Sequence, residues 1–285
     1  MNTSYDYNIH SVITALREAG VKKGDVVFSH VGTGFLGRPQ GESSTFTAAA
    51  SIIDHAFAEV LGEEGTLIVP TYTYSFCNSE DYDPQTTPST VGHFTEWFRT
   101  RPDVLRSREP IFSVAARGAR AHKLLDALPP DSFGEDSIYG RLLRAGGSLC
   151  NIGLGFQYAT FVHFVEQSVG VLYRHKKNFH GNIIEKGRKT SLDVAYYVRN
   201  EEAGGDSLPD LSRLEDDARR AKALVEVPLG RGLVTAVSCR DFFTLAEAGI
   251  RKHPWYLTRG FAAHPASRIS RMKITAIDIQ NLTEL

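Results

Sequence analysis

Gly24-Asp25-Val26-Val27-Phe28-Ser29-His30-Val31-Gly32-Thr33-Gly34-Phe35-Leu36-Gly37 is the stretch on which the reading of this 285-residue chain turns. Val26-Val27-Phe28 is a short, wholly apolar run behind a Gly-Asp turn, which predicts a strand buried on both faces. It feeds a loop from Ser29 to Glu42 that holds four glycines. Upstream, Ile9, Val12, Ile13 and Leu16 recur at the offsets of an amphipathic helix, with Gly20 placed to end it. Downstream, Ile53, Ala56, Phe57, Val60 and Leu61 restore the helical period. Gly62 and Gly65 then stop it before a second strand, Thr66 to Val69, that ends at Pro70. The order is strand, helix, strand.

The alternation continues through a strand at Ser113–Ala116, a helix carrying Ala121, Leu124, Leu125 and Leu128, a strand at Ser148–Leu154 and a helix from about Ala159. Such alternation predicts an α/β fold, a central mixed sheet flanked by helices, with its ligand site at the carboxyl ends of the strands. After Gly170 the pattern changes. Leu192, Val194, Tyr196 and Val198 alternate with Ser191, Asp193, Ala195 and Tyr197, the period of a half-wet antiparallel strand with an edge open to pairing in a homo-oligomer. Ser212-Arg213-Leu214-Glu215 has capping-box spacing, and Glu215/Arg219 and Asp216/Arg220 sit four apart, so a solvated helix is expected over Arg213–Leu224. Val225–Leu229, a Gly230-Arg231-Gly232 turn and Leu233–Ser238 read as a hairpin, followed by a helix over Cys239–Ala248.

Composition narrows the function. The 32 Lys and Arg are matched by 33 Asp and Glu, so no net field draws nucleic acid or an anionic membrane surface across the whole molecule. The longest apolar runs fall far short of the ~20 residues of a bilayer span, and no secretory leader is legible. Cys77, Cys150 and Cys239 lie far apart without CxxC spacing. This is the usage of reduced cytoplasmic thiols, not of a zinc ribbon or a disulfide scaffold.

Chemistry concentrates in Thr160-Phe161-Val162-His163-Phe164-Val165-Glu166. Successive helical residues turn by ~100°, so Thr160, His163 and Glu166 fall on one stripe. A carboxylate one turn from an imidazole fixes its tautomer, as a general base at neutral pH requires. The same spacing serves a core histidine satisfied by its neighbour. With His175 or His180 it serves a metal site, for which the spacing supplies no third ligand. The glycines after the first strand let backbone amides approach a phosphate, or simply make a turn, and they match neither GxGxxG nor the P-loop. Arg106-Ser107-Arg108-Glu109-Pro110-Ile111-Phe112-Ser113 adds cationic and hydroxyl donors ahead of a strand. Cys77 and Cys150 have no adjacent histidine to activate them.

Taken in order, the chain from Ile9 to Glu166 resembles the aminoglycoside 3-N-acetyltransferase family. The shared landmarks are Gly24-Asp25 with His30 and Gly37, Gly65-Thr66-Leu67 with Pro70-Thr71, Asp83-Pro84 with Thr87-Pro88-Ser89, and Gly92 with Phe98-Arg99. They continue in Arg106-Ser107 with Pro110 and Ser113, Phe133-Gly134 with Ser137, and Gly153-Leu154-Gly155 with Thr160, His163 and Glu166. The resemblance implies that family's fold and a single acyltransferase domain over residues 1–285. Residues 1–170 would form the coenzyme-binding and catalytic core, and residues 171–285 a β-rich acceptor side of the same compact unit. It implies acetyl-CoA or another acyl-CoA as co-substrate, no metal, His163 as general base, and Glu166 and Thr160 beside it. Coenzyme contacts carry over to His30, Val31, Gly32, Thr33, Thr71, Arg106, Ser107 and Ser113, and acceptor contacts to Tyr72, Tyr74, Arg174 and Lys177.

Two departures bear on the acceptor. His30-Val31-Gly32-Thr33 replaces the His-Ser-Ser-Leu of antibiotic-modifying members, and Glu109 stands where their Arg-Ser-x-His-Pro has histidine. The first loop and Tyr173-Arg174-His175-Lys176-Lys177 look more like members of surface-polysaccharide pathways. The expected acceptor is therefore the amine of a nucleotide-linked sugar, with Arg174, Lys176 or Lys177 competent to meet its diphosphate. An aminoglycoside acceptor, a metal-dependent amide hydrolase, and a noncatalytic coenzyme- or sugar-binding protein are the alternatives.

Overall fold

The computed structural model describes residues 5–41 and 45–264. The loop end expected at Glu42 and the two domain limits, 1 and 285, lie outside the described residues. In chain order the elements are α1 (Ile9–Glu18), β1 (Val26–Phe28), α2 (Thr45–Leu61), β2 (Thr66–Pro70), α3 (His93–Arg99), β3 (Leu105–Arg106), β4 (Val114–Gly118), α4 (Ala121–Leu125), α5 (Ile138–Arg144), β5 (Ser148–Ile152) and α6 (Val162–Val169). They continue with β6 (Arg174–Glu185), β7 (Arg188–Arg199), α7 (Ser212–Arg220), β8 (Val225–Leu229), β9 (Gly232–Ser238) and α8 (Cys239–Lys252).

Seven strands form a mixed sheet in the order β3-β4-β2-β1-β5-β9-β8. β1 runs parallel to β2 on one side and to β5 on the other, pairing Phe28 with Ile68 and with Leu149. β4 is antiparallel to β2, and β9 to β5. Side chains alternate between two dry layers, as the pleat requires. Val27, Leu67, Val69 and Ile152 pack with Val12, Leu16, Phe57 and Phe98 from α1, α2 and α3. Val26, Phe28, Ile68 and Leu149 pack with Tyr139, Phe164 and Phe242 from α5, α6 and α8. Burying each such large side chain contributes ~1.5–3 kcal/mol, so the central parallel strands are the part of the fold least able to shift. Their carboxyl ends all open on one edge, at Ser29, Thr71 and Gly153.

The hairpin expected at Val225–Ser238 is β8–β9, and it joins the central sheet through β5. The second hairpin, β6–β7, is a separate two-stranded ribbon of twelve residues per strand. The basic stretch Tyr173–Lys177 thus opens a long strand. The edge expected to be free near Ser191–Val198 is bridged at Ala195, which accepts from the Ser132 amide and donates to the Pro130 carbonyl. Three local expectations are corrected. The helix at Ala121 stops at Leu125, before a left-handed Ala127. Ser212 does not cap α7, since it is the first residue of the helix and both its amide and its hydroxyl donate to Asp210. Arg220 pairs with Asp217, while Asp216 faces Arg219.

Candidate active site

Two clusters meet at the carboxyl edge of the parallel strands. The first grows from β1 and β5. His30, two residues past β1, is buried, and its Nδ1 lies 3.2 Å from Asn151 Oδ1 at the end of β5. The Asn151 amide nitrogen donates to the Gly155 carbonyl at 3.2 Å, which leaves Oδ1 to accept from the ring. The network therefore assigns the proton to Nδ1, and Nε2 accepts from the Thr160 hydroxyl at 3.1 Å. Burial holds the His30 pKa down to about 4, against the Asn151 hydrogen bond, so the ring is neutral. Beside it the hydroxyls of Tyr72 and Tyr139 meet at 2.7 Å. Gly153 has φ near +69°, and a Cβ there would stand 2.3 Å from the Gly32 carbonyl oxygen. Only glycine allows the loops after β1 and β5 to close this tightly.

The second cluster grows from α6. The helix begins at Val162 rather than at Ala159, so Thr160 sits in the preceding turn, where its carbonyl accepts from the His163 amide at 3.0 Å. His163 and Glu166 are one turn apart. His163 Nδ1 lies 2.7 Å from Glu166 Oε2, and Arg174 Nε, from the first residue of β6, lies 2.6 Å from the same oxygen. The Glu166 and Arg174 side chains are 1% and 2% exposed, whereas His163 retains 17%. Gly170 ends the helix in the left-handed region at φ +76°, and its amide bonds the Glu166 carbonyl. Burial raises the Glu166 carboxyl, but the Arg174 charge and the His163 hydrogen bond outweigh it and hold it below the ordinary range. An ionised Glu166 accepts the hydrogen bond from Nδ1–H and so leaves the Nε2 lone pair of His163 available. Burial and the Arg174 cation lower the His163 pKa further than Glu166 raises it, so the imidazole is neutral near pH 7. The ring of Phe133 stands edge-on to it at 5.4 Å. Tyr72, Tyr74, Phe112 and Tyr196 continue this aromatic wall.

Several expected ligands are otherwise engaged. Val31 is buried in the core, and a Cβ on Gly32 would stand 2.7 Å from Leu154, so that glycine is used for packing. Thr33 is half-buried at the loop surface. Thr71, Ser107 and Ser113 are buried: Ser113 donates to the Thr71 carbonyl at 2.6 Å, and the Ser107 hydroxyl accepts from the Val114 amide at 2.9 Å. Arg106 donates to Thr71, Pro84, Thr87 and Ser113, a clamp between loops whose donors are spent within the protein. Tyr72 is buried, Tyr74 half-buried. Arg174 is the largest correction, since a side chain expected to meet a substrate diphosphate is sealed against Glu166. Lys176 pairs with Asp131 at 2.7 Å, and Lys177 is exposed over the Phe179 ring.

The metal alternative does not assemble. His180 is exposed and bonded to Asp193 and Ser191, and among the described residues no three His, Cys, Asp or Glu side chains stand where they hold an ion together. Cys77 and Cys150 are not activated nucleophiles either, because burial pushes their thiols up to about 11 and about 12. Asn151, Tyr139 and Phe133 were not singled out as site residues by their sequence context. Asn151 left one signal, a polar residue closing the otherwise apolar Leu149-Cys150-Asn151-Ile152.

The chain is 25% identical over 279 residues to the SPbeta prophage-derived aminoglycoside N(3')-acetyltransferase-like protein YokD of Bacillus subtilis (strain 168), covering 90% of this chain and 94% of that one. It is 26% identical over 260 residues to aminoglycoside N(3)-acetyltransferase IV of Salmonella sp, covering 88% and 90%. The structure of AAC-IIIb in binary complex with CoASH superposes with a TM-score of 0.73 at 18% identity, covering 86% of this chain and 96% of that one. Fold and relatives together define an enzyme, an acyl-CoA-dependent N-acyltransferase. The family model for aminoglycoside 3-N-acetyltransferase matches residues 43–251, and the chain belongs to that family. Among the described residues no helix is long and apolar enough to cross a membrane.

Proposed function

We propose that this enzyme transfers an acetyl group from acetyl-CoA directly to an amine of an amino sugar of the aminoglycoside class, with His163 as general base. The observation that carries the reading is the His163–Glu166 pair, with Nδ1 2.7 Å from the carboxylate, no hydrogen bond at Nε2 among the described residues, and a side chain that stays 17% exposed. As the acceptor nitrogen attacks the thioester carbonyl, a C–N bond forms and Nε2 takes the amine proton. The C–S bond then breaks, and the departing thiolate is protonated. No acyl-enzyme is required, in keeping with the raised thiols of Cys77 and Cys150.

Two things favour an aminoglycoside over the nucleotide-linked sugar. The two relatives compared above both carry aminoglycoside N-acetyltransferase in their names. Two of the three cations that were to receive a diphosphate, Arg174 and Lys176, are paired within the chain. The test is free-thiol release from acetyl-CoA against an aminoglycoside, a nucleotide-linked amino sugar and a simple amino sugar, with wild type and His163→Ala. The aminoglycoside is expected to give the fastest release, and His163→Ala to lose ~10²- to 10⁴-fold in turnover. Preference for the nucleotide-linked sugar would overturn the acceptor assignment. Turnover retained in His163→Ala would overturn the base.

A further inference from the structure

Glu166 turns one oxygen, Oε2, to two neighbours, hydrogen-bonded to His163 and ion-paired with Arg174 Nε, while its Oε1 and that Nε are both buried without a hydrogen-bond partner. On one side is the His163 imidazole. On the other is the Arg174 guanidinium, brought in by the hairpin: Arg174 pairs with Arg199 across the ribbon, and its Nη1 donates to the Tyr197 carbonyl at 3.1 Å. A buried ion pair is costly to desolvate and is often replaceable by apolar packing, so its presence beside the reacting group calls for a role other than stability. We propose that Arg174 is a positioning residue for the base, fixing the Glu166 carboxylate through the oxygen that also holds His163 and limiting how tightly that carboxylate retains a proton on the ring.

The argument rests on the reading of His163 as base and concerns how that base is tuned. In a simple histidine–carboxylate pair the carboxylate stabilises the imidazolium and makes the ring more basic. Here a cation faces the same oxygen and opposes that effect. The groups around the pair are few. Glu166 faces His163 from its own helix, Arg174 from β6, and the uncharged Phe133 ring from the loop before α5. Tyr173 and Tyr197 face Glu166, and Tyr196 faces Arg174; burial keeps all three phenols protonated. Arg174 is therefore the one cation set against the dyad among the described residues. With it in place, the ring is unprotonated when the acceptor arrives, and the proton taken at Nε2 leaves readily after transfer.

The test is an NMR titration of the His163 ring in the free protein, with the signal assigned by its absence in His163→Ala, for wild type, Arg174→Gln and Arg174→Lys. Arg174→Gln is expected to titrate at higher pH than wild type. Arg174→Lys, which keeps the charge but not the reach, should move the same way by less. The acid limb of the kcat profile should follow, and turnover should fall ~10- to 100-fold, the range for losing a group that only orients another. A titration unchanged in folded Arg174→Gln overturns the proposal. Should that variant not fold, an unchanged titration in Arg174→Lys does so. Because the ring is read in the free protein, this outcome is independent of whether His163→Ala loses turnover.

Discussion

Glu109 is the residue that most separates this chain from the antibiotic-modifying pattern its sequence resembles, and its surroundings explain what it does. One carboxylate oxygen accepts from the Ser132 hydroxyl at 2.9 Å, and the other from the Ile111 and Phe112 amides. It thereby ties the loop carrying Phe112 to the loop carrying Phe133, both part of the aromatic wall near His163. Burial pushes its pKa up to about 7 from an ordinary 4.5, against those three hydrogen bonds. Between those values the folded state holds a proton that the unfolded chain has released, so stability falls as pH rises through this window, with the full cost present above it. Glu109→Gln lacks that titration. Urea midpoints at about pH 5 and about pH 8 should show the variant gaining on wild type at the higher pH. An equal gap at both would contradict the raised carboxyl. At this scale the sequence was informative where chemistry follows local spacing. His163 and Glu166 sit at i and i+3, and a helix had to bring them together. Arg174 was legible only as a cation, because its burial depends on a strand folding back eight residues later onto that helix.

Among the elements, β1, β2, α1 and the β8–β9 hairpin follow from apolar runs and periods that local sequence states outright. β6 does not, because along Arg174–Glu185 half of the side chains are exposed and only two are buried, too few to show a period of two. The packing of α2 on β4 is similarly hidden. Asp54, a buried carboxylate within α2, receives both terminal nitrogens of Arg117 at 2.9 and 2.5 Å. Breaking such a pair leaves a charge without its partner, so Asp54→Asn should cost ~3 kcal/mol, the lower end for buried pairs. Asp103, 3.7 Å from Arg117, still compensates in part. Urea unfolding checks this, with the midpoint lowered, the slope unchanged and the kcat of the folded fraction retained. A loss under ~0.5 kcal/mol would mean the pair behaves as a surface contact.

For the molecule as a whole, the site is assembled from both sides of the sheet's carboxyl edge and closed by a ribbon outside the sheet. That ribbon is anchored just short of its tip, where the Tyr82 backbone accepts from the Ile184 amide at 2.7 Å and donates to the Asn182 carbonyl at 2.9 Å, and at its root by Arg174. Successive strand residues face opposite ways. Indels in the ribbon should therefore obey parity. Trimming Glu185 and Arg188 together, one from each strand beside the Lys186-Gly187 tip, keeps every remaining residue on its own face and should leave thiol release near wild type. Excising His175 alone obliges either the Tyr82 anchor to slip or the guanidinium to swing away from its carboxylate, and should abolish most of the turnover while the seven-stranded sheet still folds. Homologue-guided loop grafting into this enzyme would accordingly succeed at the ribbon's tip and fail at its base.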